Sequence, residues 1–199
     1  LILLSAVLGS LAVTPREPQE SEADVMDLVR EVRALQEAGD APQAEQLLRN
    51  ELARRPSAAI RIELGRALLL GSSTMDRGSD LSRHLAEAPL HEAQALFAEV
   101  RDADPTLADA WIGVVHCLEW LGDADRAEEE LQSGLDANRG RRNLPAVQVL
   151  ARERAEFLLR YQRFDDLEGE LAGLCEREEL SEPEAGSLRL RSAAARKVG

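Results

Sequence analysis

Residues 120–135 read WLGDADRAEEELQSGL, and related segments occur at three other places in the chain. They are EAGDAPQAEQLLRNELARRP (37–56), HEAQALFAEVRDADP (91–105) and FDDLEGELAGL (164–174). Each segment contains two apolar residues four positions apart, which is the spacing of neighbours on one face of an α-helix. The chain is therefore predicted to be built from copies of one helical unit.

The copies keep a common register along the chain. Ala44, Ala93 and Ala127 begin the apolar pairs and are separated by 49 and 34 residues. The larger members of the pairs repeat both intervals, and the prolines that close the first two copies repeat the first interval. A period of 34 is typical of arrays of helix pairs, in which neighbouring units bury a shared core. The larger members of the pairs are Leu48, Phe97 and Leu131, and the closing prolines are Pro56 and Pro105.

The third copy resembles the tetratricopeptide repeat, and the first copy is similar to it. This resemblance covers residues 22–178 and implies an all-α, right-handed superhelical solenoid of about four antiparallel helix pairs. Intervals longer than 34 predict an insertion at 71–87 and a longer connection at 137–145. The resemblance is carried by Trp111, Val114, Leu118, Ala127, Leu131 and Gly134 in the third copy, and by Leu28, Val32, Leu35, Gly39, Ala44, Leu48 and Pro56 in the first.

Helix boundaries follow from glycine and proline. Gly39 and Gly122 are predicted to end helices in a left-handed conformation, and the aspartates after them to cap the next helices. Pro42, Pro89 and Pro183 are placed near helix beginnings, where proline is tolerated. Ten helices are predicted, at 22–38, 42–54, 58–70, 80–87, 90–103, 107–121, 124–137, 145–161, 164–178 and 184–197.

The first fifteen residues, LILLSAVLGSLAVTP, carry no charge. About fourteen apolar residues are fewer than the roughly twenty that span a bilayer, and they suit the core of a signal peptide. The sequence predicts a signal peptide or membrane anchor at 1–15, a linker at 16–21, a repeat array at 22–180 and a capping helix at 181–199. We expect a membrane-anchored or exported protein, of a bacterial periplasm or envelope, or a cytoplasmic one if residues 1–15 are not a targeting sequence.

Composition restricts the partners and the chemistry. The 199 residues include 24 basic and 37 acidic ones, and the net charge of −13 opposes general binding to nucleic acid. No glycine-rich phosphate loop, nucleophile elbow or zinc-spaced histidine pair occurs. We expect a non-enzymatic protein without cofactor or metal, in which His84 and His91 form no metal site. Cys117 and Cys175 are expected to be buried free thiols rather than a disulfide.

The resemblance implies a concave groove, lined by the first helices of successive repeats, that holds a peptide. A basic stripe in this groove would attract an acidic or carboxylate-bearing partner. The competing interpretation is that these cations are ordinary solvated charges, some of them paired with nearby glutamates. The predicted groove residues are Arg30, Arg33, Arg66, His116 and Arg152, with Glu63 and Glu156 interrupting them.

Three functions are compatible with the sequence. The first is a noncatalytic scaffold that binds a protein or peptide partner in its groove and meets the membrane only through its N-terminal segment. The second is the C-terminal soluble domain of a larger membrane protein or enzyme whose catalytic part precedes residue 1. The third is a module that associates with itself.

Overall fold

The structure, a computed structural model, describes residues 22–73 and 80–197. Within these residues the chain forms nine α-helices and no strand. The predicted targeting segment and linker lie outside the described residues, as does part of the predicted insertion. The helices are α1 (Glu22–Glu37), α2 (Ala41–Arg54), α3 (Ala58–Ser73), α4 (Asp80–Ala103), α5 (Ala108–Leu121), α6 (Ala124–Gly140), α7 (Leu144–Arg160), α8 (Phe164–Glu176) and α9 (Glu182–Arg196).

One helix replaces two predicted ones, because α4 runs continuously through 80–87 and 90–103. Pro89 lies inside α4, so the prediction that it begins a helix is wrong. An internal proline removes one backbone hydrogen bond and crowds the preceding turn. Ala86 and Leu90, on either side of Pro89, are each only 1% exposed, and their burial offsets this cost. The other eight predicted helices agree with the structure to within three residues at each end.

The helices form two layers. The backbones of successive odd-numbered helices lie close to one another, whereas the even-numbered helices of the described chain meet each other only through long side chains, as Arg49 of α2 does with Glu92 of α4. We call α1, α3, α5, α7 and α9 the inner layer, and α2, α4, α6 and α8 the outer layer. Because the inner helices lie closer together, the array curves toward them. The predicted all-α solenoid of antiparallel helix pairs is confirmed.

The core lies between the two layers and contains the repeat markers. Ala44, Ala93 and Ala127 are completely buried, as predicted for close helix crossings. The large residue one turn after each is at most 1% exposed. In the fourth copy, Leu167 and Leu171 are also completely buried. The predicted register therefore holds through all four copies.

The first two predicted turns form as expected from their glycines. Gly39 and Gly122 have φ values of 81° and 84°, in the left-handed region that a residue without Cβ adopts without strain. The side chain of Asp40 accepts a hydrogen bond from the Gln43 backbone N–H and caps α2. Asp123 caps α6 in the same way. These two aspartates are the predicted N-caps.

Three later turns adopt the same conformation without glycine. Arg142, Gln162 and Glu178 have φ values of 55°, 57° and 58°. The backbone N–H after each donates to the carbonyl five residues earlier, as Arg163 does to Leu158 at 2.9 Å. This is the Schellman bond that closes a helix. The left-handed conformation costs an L-residue about 1–2 kcal/mol, so these turns are strained.

Replacing Gln162 with glycine should therefore raise the free energy of unfolding by about 0.5–1 kcal/mol, since the greater freedom of glycine in the unfolded chain removes part of the gain. Urea unfolding would measure the change. The matched control is Gly122→Gln, which should destabilise the protein by a similar amount. A Gln162→Gly variant that unfolds more easily than the parent would contradict the shared turn geometry.

Candidate protein-binding surface

Each inner helix turns one stripe of side chains away from the outer layer. In α5 the stripe consists of Asp109, Ile112, His116 and Trp120, while the residues on the other sides of the helix are mostly buried. Aligning the buried positions of the inner helices places equivalent stripes on the other four. We call the five stripes the inner surface. The other members are Met26, Val29, Arg33 and Glu37; Ala59, Ile62, Arg66 and Leu70; Val149, Arg152, Glu156 and Arg160; and Pro183, Gly186, Leu190 and Ala194.

Four of the five predicted groove residues lie on the inner surface. They are Arg33, Arg66, His116 and Arg152, on four successive inner helices. Arg30 lies beside the stripe of α1 and forms an exposed ion pair with Asp27 at 2.8 Å. The structure thus brings the predicted residues onto one surface, with Arg30 at its edge.

Acidic side chains accompany most of these cations. Arg66 lies 2.6 Å from Glu63 on its own helix and 3.0 Å from Asp109 on α5. Arg152 pairs with Glu184 of α9. In contrast, no ion pair joins Arg33 to any residue in the part of the chain that the structure describes. The inner surface is therefore a ladder of cross-helix ion pairs that ends in one unpaired arginine.

The centre of the ladder is a cluster of four side chains. The Arg160 guanidinium donates to both carboxylate oxygens of Glu119, at 3.1 and 2.9 Å, and to Glu153 Oε1 at 2.8 Å. His116 Nε2 lies 3.1 Å from the same Glu153 oxygen. Burial opposes ionisation of Glu153, but hydrogen bonds from His116 and Arg160 outweigh it and lower its pKa to about 2. Of this cluster, only His116 was predicted from the sequence as a groove residue.

The lowered pKa of Glu153 makes its contribution to stability depend on pH. The carboxylate ionises more readily in the folded state, so its charge stabilises the fold above the unfolded pKa of about 4.5. Glu153→Gln should therefore be less stable than the parent at pH 7, and the difference should shrink as the pH falls from about 4.5 to 2. Urea unfolding at a series of pH values measures it. A difference that stays constant over this range would contradict the assignment.

Charge is distributed unequally between the two layers. The outer helices contain 17 acidic and 6 basic residues, whereas the inner helices contain 12 and 10. Helix α8 contains five acidic residues and no basic residue. The strongly negative side of the array is therefore the outer one, and the inner layer is nearly neutral.

Exposed side chains of large hydrophobic residues follow the same division between the layers in the described chain. The described part of the chain exposes seven large hydrophobic residues, all on inner helices or at the end of one. Leu190 is the most exposed, at 74%, and Trp120 is 40% exposed. Five of the seven belong to the inner surface. The full set is Met26, Leu70, Trp120, Leu144, Val149, Tyr161 and Leu190.

The outer arginines have structural partners. Arg139 donates two hydrogen bonds to Glu179, at 2.8 and 2.7 Å, across the boundary between the third and fourth repeats. Burial opposes ionisation of Glu179, but hydrogen bonds from Arg139 and Arg177 outweigh it and lower the pKa. Arg49 likewise donates two hydrogen bonds to the Glu92 carboxylate, between the first and second repeats. These pairs hold neighbouring repeats together.

Burial raises the pKa of both cysteine thiols. Cys117 and Cys175 are both free, as predicted; Cys117 is buried and Cys175 half-buried. Burial raises the pKa of Cys117 to about 12, which keeps it as the unreactive thiol at neutral pH.

The side chain of His84 lies outside the described residues, so the expected absence of a metal site there stays a prediction. In the described chain, no helix has the length and apolar character needed to cross a membrane.

Comparison with known proteins agrees with the fold. A family model for the tetratricopeptide repeat matches residues 84–152, which run from α4 into α7 and include His116 and Glu119 of the four-residue cluster. No curated protein matches the chain significantly. Arrays of this kind are protein-interaction scaffolds and are typically noncatalytic. The match confirms the tetratricopeptide repeat over this part of the chain, as the sequence predicted.

Proposed function

We propose that this protein is a noncatalytic scaffold that binds a segment of a partner protein along its inner surface. The observation that carries the proposal is the segregation of surface chemistry between the layers. The exposed large hydrophobic residues of the described chain are confined to the inner layer, and most of the net negative charge is on the outer one. Apolar surface bordered by polar residues is typical of protein-binding sites.

The inner surface offers anchors at a regular spacing. Leu70 and Trp120 occupy equivalent positions on α3 and α5, and packed helices lie about 8–10 Å apart. An extended segment covers that distance in about three residues. Tryptophan is over-represented among residues that dominate binding energy. A partner segment that crosses the inner helices would therefore place every third residue on a successive stripe.

The charges suggest which partner segment fits. Arg33 has no ion-pair partner among residues 22–73 and 80–197, and Arg66 faces the groove one helix further along. We propose that the segment is acidic where it crosses α1 and α3. Its carboxylates would pair with Arg33 and compete with Glu63 and Asp109 for Arg66. The strongly acidic outer layer would repel the same segment.

Charge reversal tests this proposal. The double variant Arg33→Glu and Arg66→Glu should lose most of its ability to capture a partner from an extract of the native host, compared by labelled mass spectrometry. Its matched control is Arg54→Glu with Arg126→Glu, which reverses two exposed outer-layer arginines that also pair with acids three residues away. The control should retain the partner. Equal loss in both variants, or in neither, would refute binding at the inner surface.

We further propose that residues 1–15 deliver the array to a membrane or export it, which rests on their uncharged apolar sequence alone. The test is fractionation of cells that express either the full chain or residues 16–199. The full chain should appear in the membrane or exported fraction, and the shortened chain should remain in the cytoplasm. Identical distributions of the two would exclude a targeting role.

A further inference from the structure

Three potential metal ligands converge between α5 and α7, at the edge of the inner surface. One ligand atom from each of His116, Glu119 and Glu153 lies within 4.8 Å of the other two. His116 and Glu119 are three residues apart on α5, so they share a face of that helix. Glu153 approaches from α7. The three side chains are partly buried, and two neighbouring repeats contribute them.

Their spacing matches that of ligands around a metal ion. His116 Nε2 and Glu153 Oε1 are 3.1 Å apart. Two tetrahedral ligands on bonds of about 2.1 Å lie roughly 3.4 Å from each other, so this pair is within a few tenths of an ångström of the spacing that coordination requires. A carboxylate oxygen of Glu119 lies within 4.8 Å of the other two ligand atoms and must move closer to them to complete the set. One imidazole and two carboxylates suit a borderline divalent ion such as Zn²⁺ better than Mg²⁺, which prefers oxygen ligands alone.

We propose that His116, Glu119 and Glu153 bind a divalent metal ion, preferably Zn²⁺, between the third and fourth repeats. Arg160 holds the two carboxylates together in the absence of the ion and competes with it. The Arg160 side chain is 41% exposed, so its guanidinium can swing into solvent when the metal takes its place. Neutral His116 would bind through Nε2 and carry its proton on Nδ1.

Metal binding at this position would act on the inner surface in two ways. It would join α5 to α7 and stabilise the contact between their repeats. Three protein ligands also leave at least one coordination position open. A carboxylate or imidazole of a bound partner can fill that position. The site therefore goes beyond the proposed scaffold function and can be tested without any partner.

The test is a titration of the full chain with Zn²⁺ by calorimetry, supported by Co²⁺ absorption spectroscopy. The parent should bind one ion per chain and show a visible Co²⁺ band. His116→Ala and Glu153→Gln should each weaken binding by at least about tenfold. Arg160→Gln should strengthen it by on the order of tenfold, because a competing positive charge is removed. His91→Ala is the matched control on α4 and should bind as the parent does.

Circular dichroism of each variant confirms that it is folded before binding is compared. Mg²⁺ should not compete with Zn²⁺ at equal concentration. Absence of Zn²⁺ binding by the parent would overturn the proposal. It would do so even if Arg160→Gln bound the ion, because Glu119 and Glu153 of the natural protein would then bind Arg160 in preference to the metal. Binding that His116→Ala leaves unchanged would overturn it as well.

Discussion

Replacing Gly113 with alanine should lower the free energy of unfolding by about 1–3 kcal/mol, one of the two largest effects that we expect. Gly113 of α5 packs directly against the Phe97 ring of α4. A Cβ atom at Gly113 would lie 2.3 Å from two carbons of that ring, far inside contact distance. On α3, Gly65 approaches the same ring, and a Cβ there would lie 2.7 Å from it. The ring therefore cannot retreat toward α3 without a second clash.

Chemical denaturation of Gly113→Ala measures this effect, and two further variants give it a specific interpretation. Gly169→Ala lies inside α8, where nothing stands within 4 Å of the added atom, and it should stabilise the protein by up to about 1 kcal/mol. Adding Phe97→Leu to Gly113→Ala should recover part of the lost stability, because the smaller side chain makes room. If Gly113→Ala is as stable as Gly169→Ala, the packing of α4 on α5 is not as described.

Replacing Asn138 with alanine should cost about 2–3 kcal/mol of stability. The Asn138 amide is completely buried at the end of α6. Its Nδ2 donates to the carbonyl oxygens of Pro105 at 3.0 Å and Gly134 at 2.9 Å, and its Oδ1 accepts from Asn143 Nδ2 at 3.0 Å. Asn143 in turn donates to the carbonyl oxygen of Thr106 at 3.1 Å. The two amides fasten the connection after α4 to the turn after α6.

Urea unfolding of Asn138→Ala tests this role against Asn50→Ala, which removes an exposed amide from α2. The control should change stability by less than about 0.5 kcal/mol. Asn138→Asp should destabilise the fold as well, because a carboxylate cannot donate to the two carbonyl oxygens. If Asn138→Ala is as stable as Asn50→Ala, the buried network does not hold the two connections together.

Features set by local chemistry could be predicted from the sequence. Gly39 and Gly122 end helices because a left-handed residue is required there, and the aspartate after each glycine caps the next helix. Small residues at helix crossings recur at fixed intervals, which reveals the register. One local signal was missed: Ser181 and Glu184 form a capping box that begins α9 at Glu182 rather than at 184.

Features that depend on distant parts of the chain could not be predicted in this way. Pro89 is a sound indicator of a helix beginning, yet burial of the residues on both sides of it keeps α4 continuous. Arg142, Gln162 and Glu178 take a conformation that their side chains disfavour, because the helices on either side impose the turn. The buried role of Asn138 depends on Pro105, which is 33 residues away.

The same distinction applies to the binding surface. The helical periodicity of the first helix in each repeat was enough to place four residues on one side of the array: Arg33, Arg66, His116 and Arg152. Arg66, His116 and Arg152 each have an acidic partner on the next inner helix, as Arg66 has in Asp109, and these partners are separated from them by about the length of a repeat. Single-helix periodicity contains no information about such pairs.

The cross-helix pairs also change what the inner surface is expected to do. A stripe of free cations would bind any polyanion, whereas paired charges bind only a partner that replaces the acidic group on each arginine. Recognition would then rest on the exposed apolar side chains, with the charges setting position and direction. Specificity of this kind suits a scaffold whose outer layer is strongly acidic.

Site-specific photo-crosslinking tests the inner binding surface most directly. A photoreactive phenylalanine derivative is placed at Val149 or Leu190 on the inner surface, or at Glu129 or Glu168 on the outer layer, and cells of the native host are irradiated. The inner positions should give a crosslinked protein of one defined mass, and the outer positions should give none. Crosslinks of that protein from Glu129 and Glu168, with none from Val149 and Leu190, would contradict binding at the inner surface.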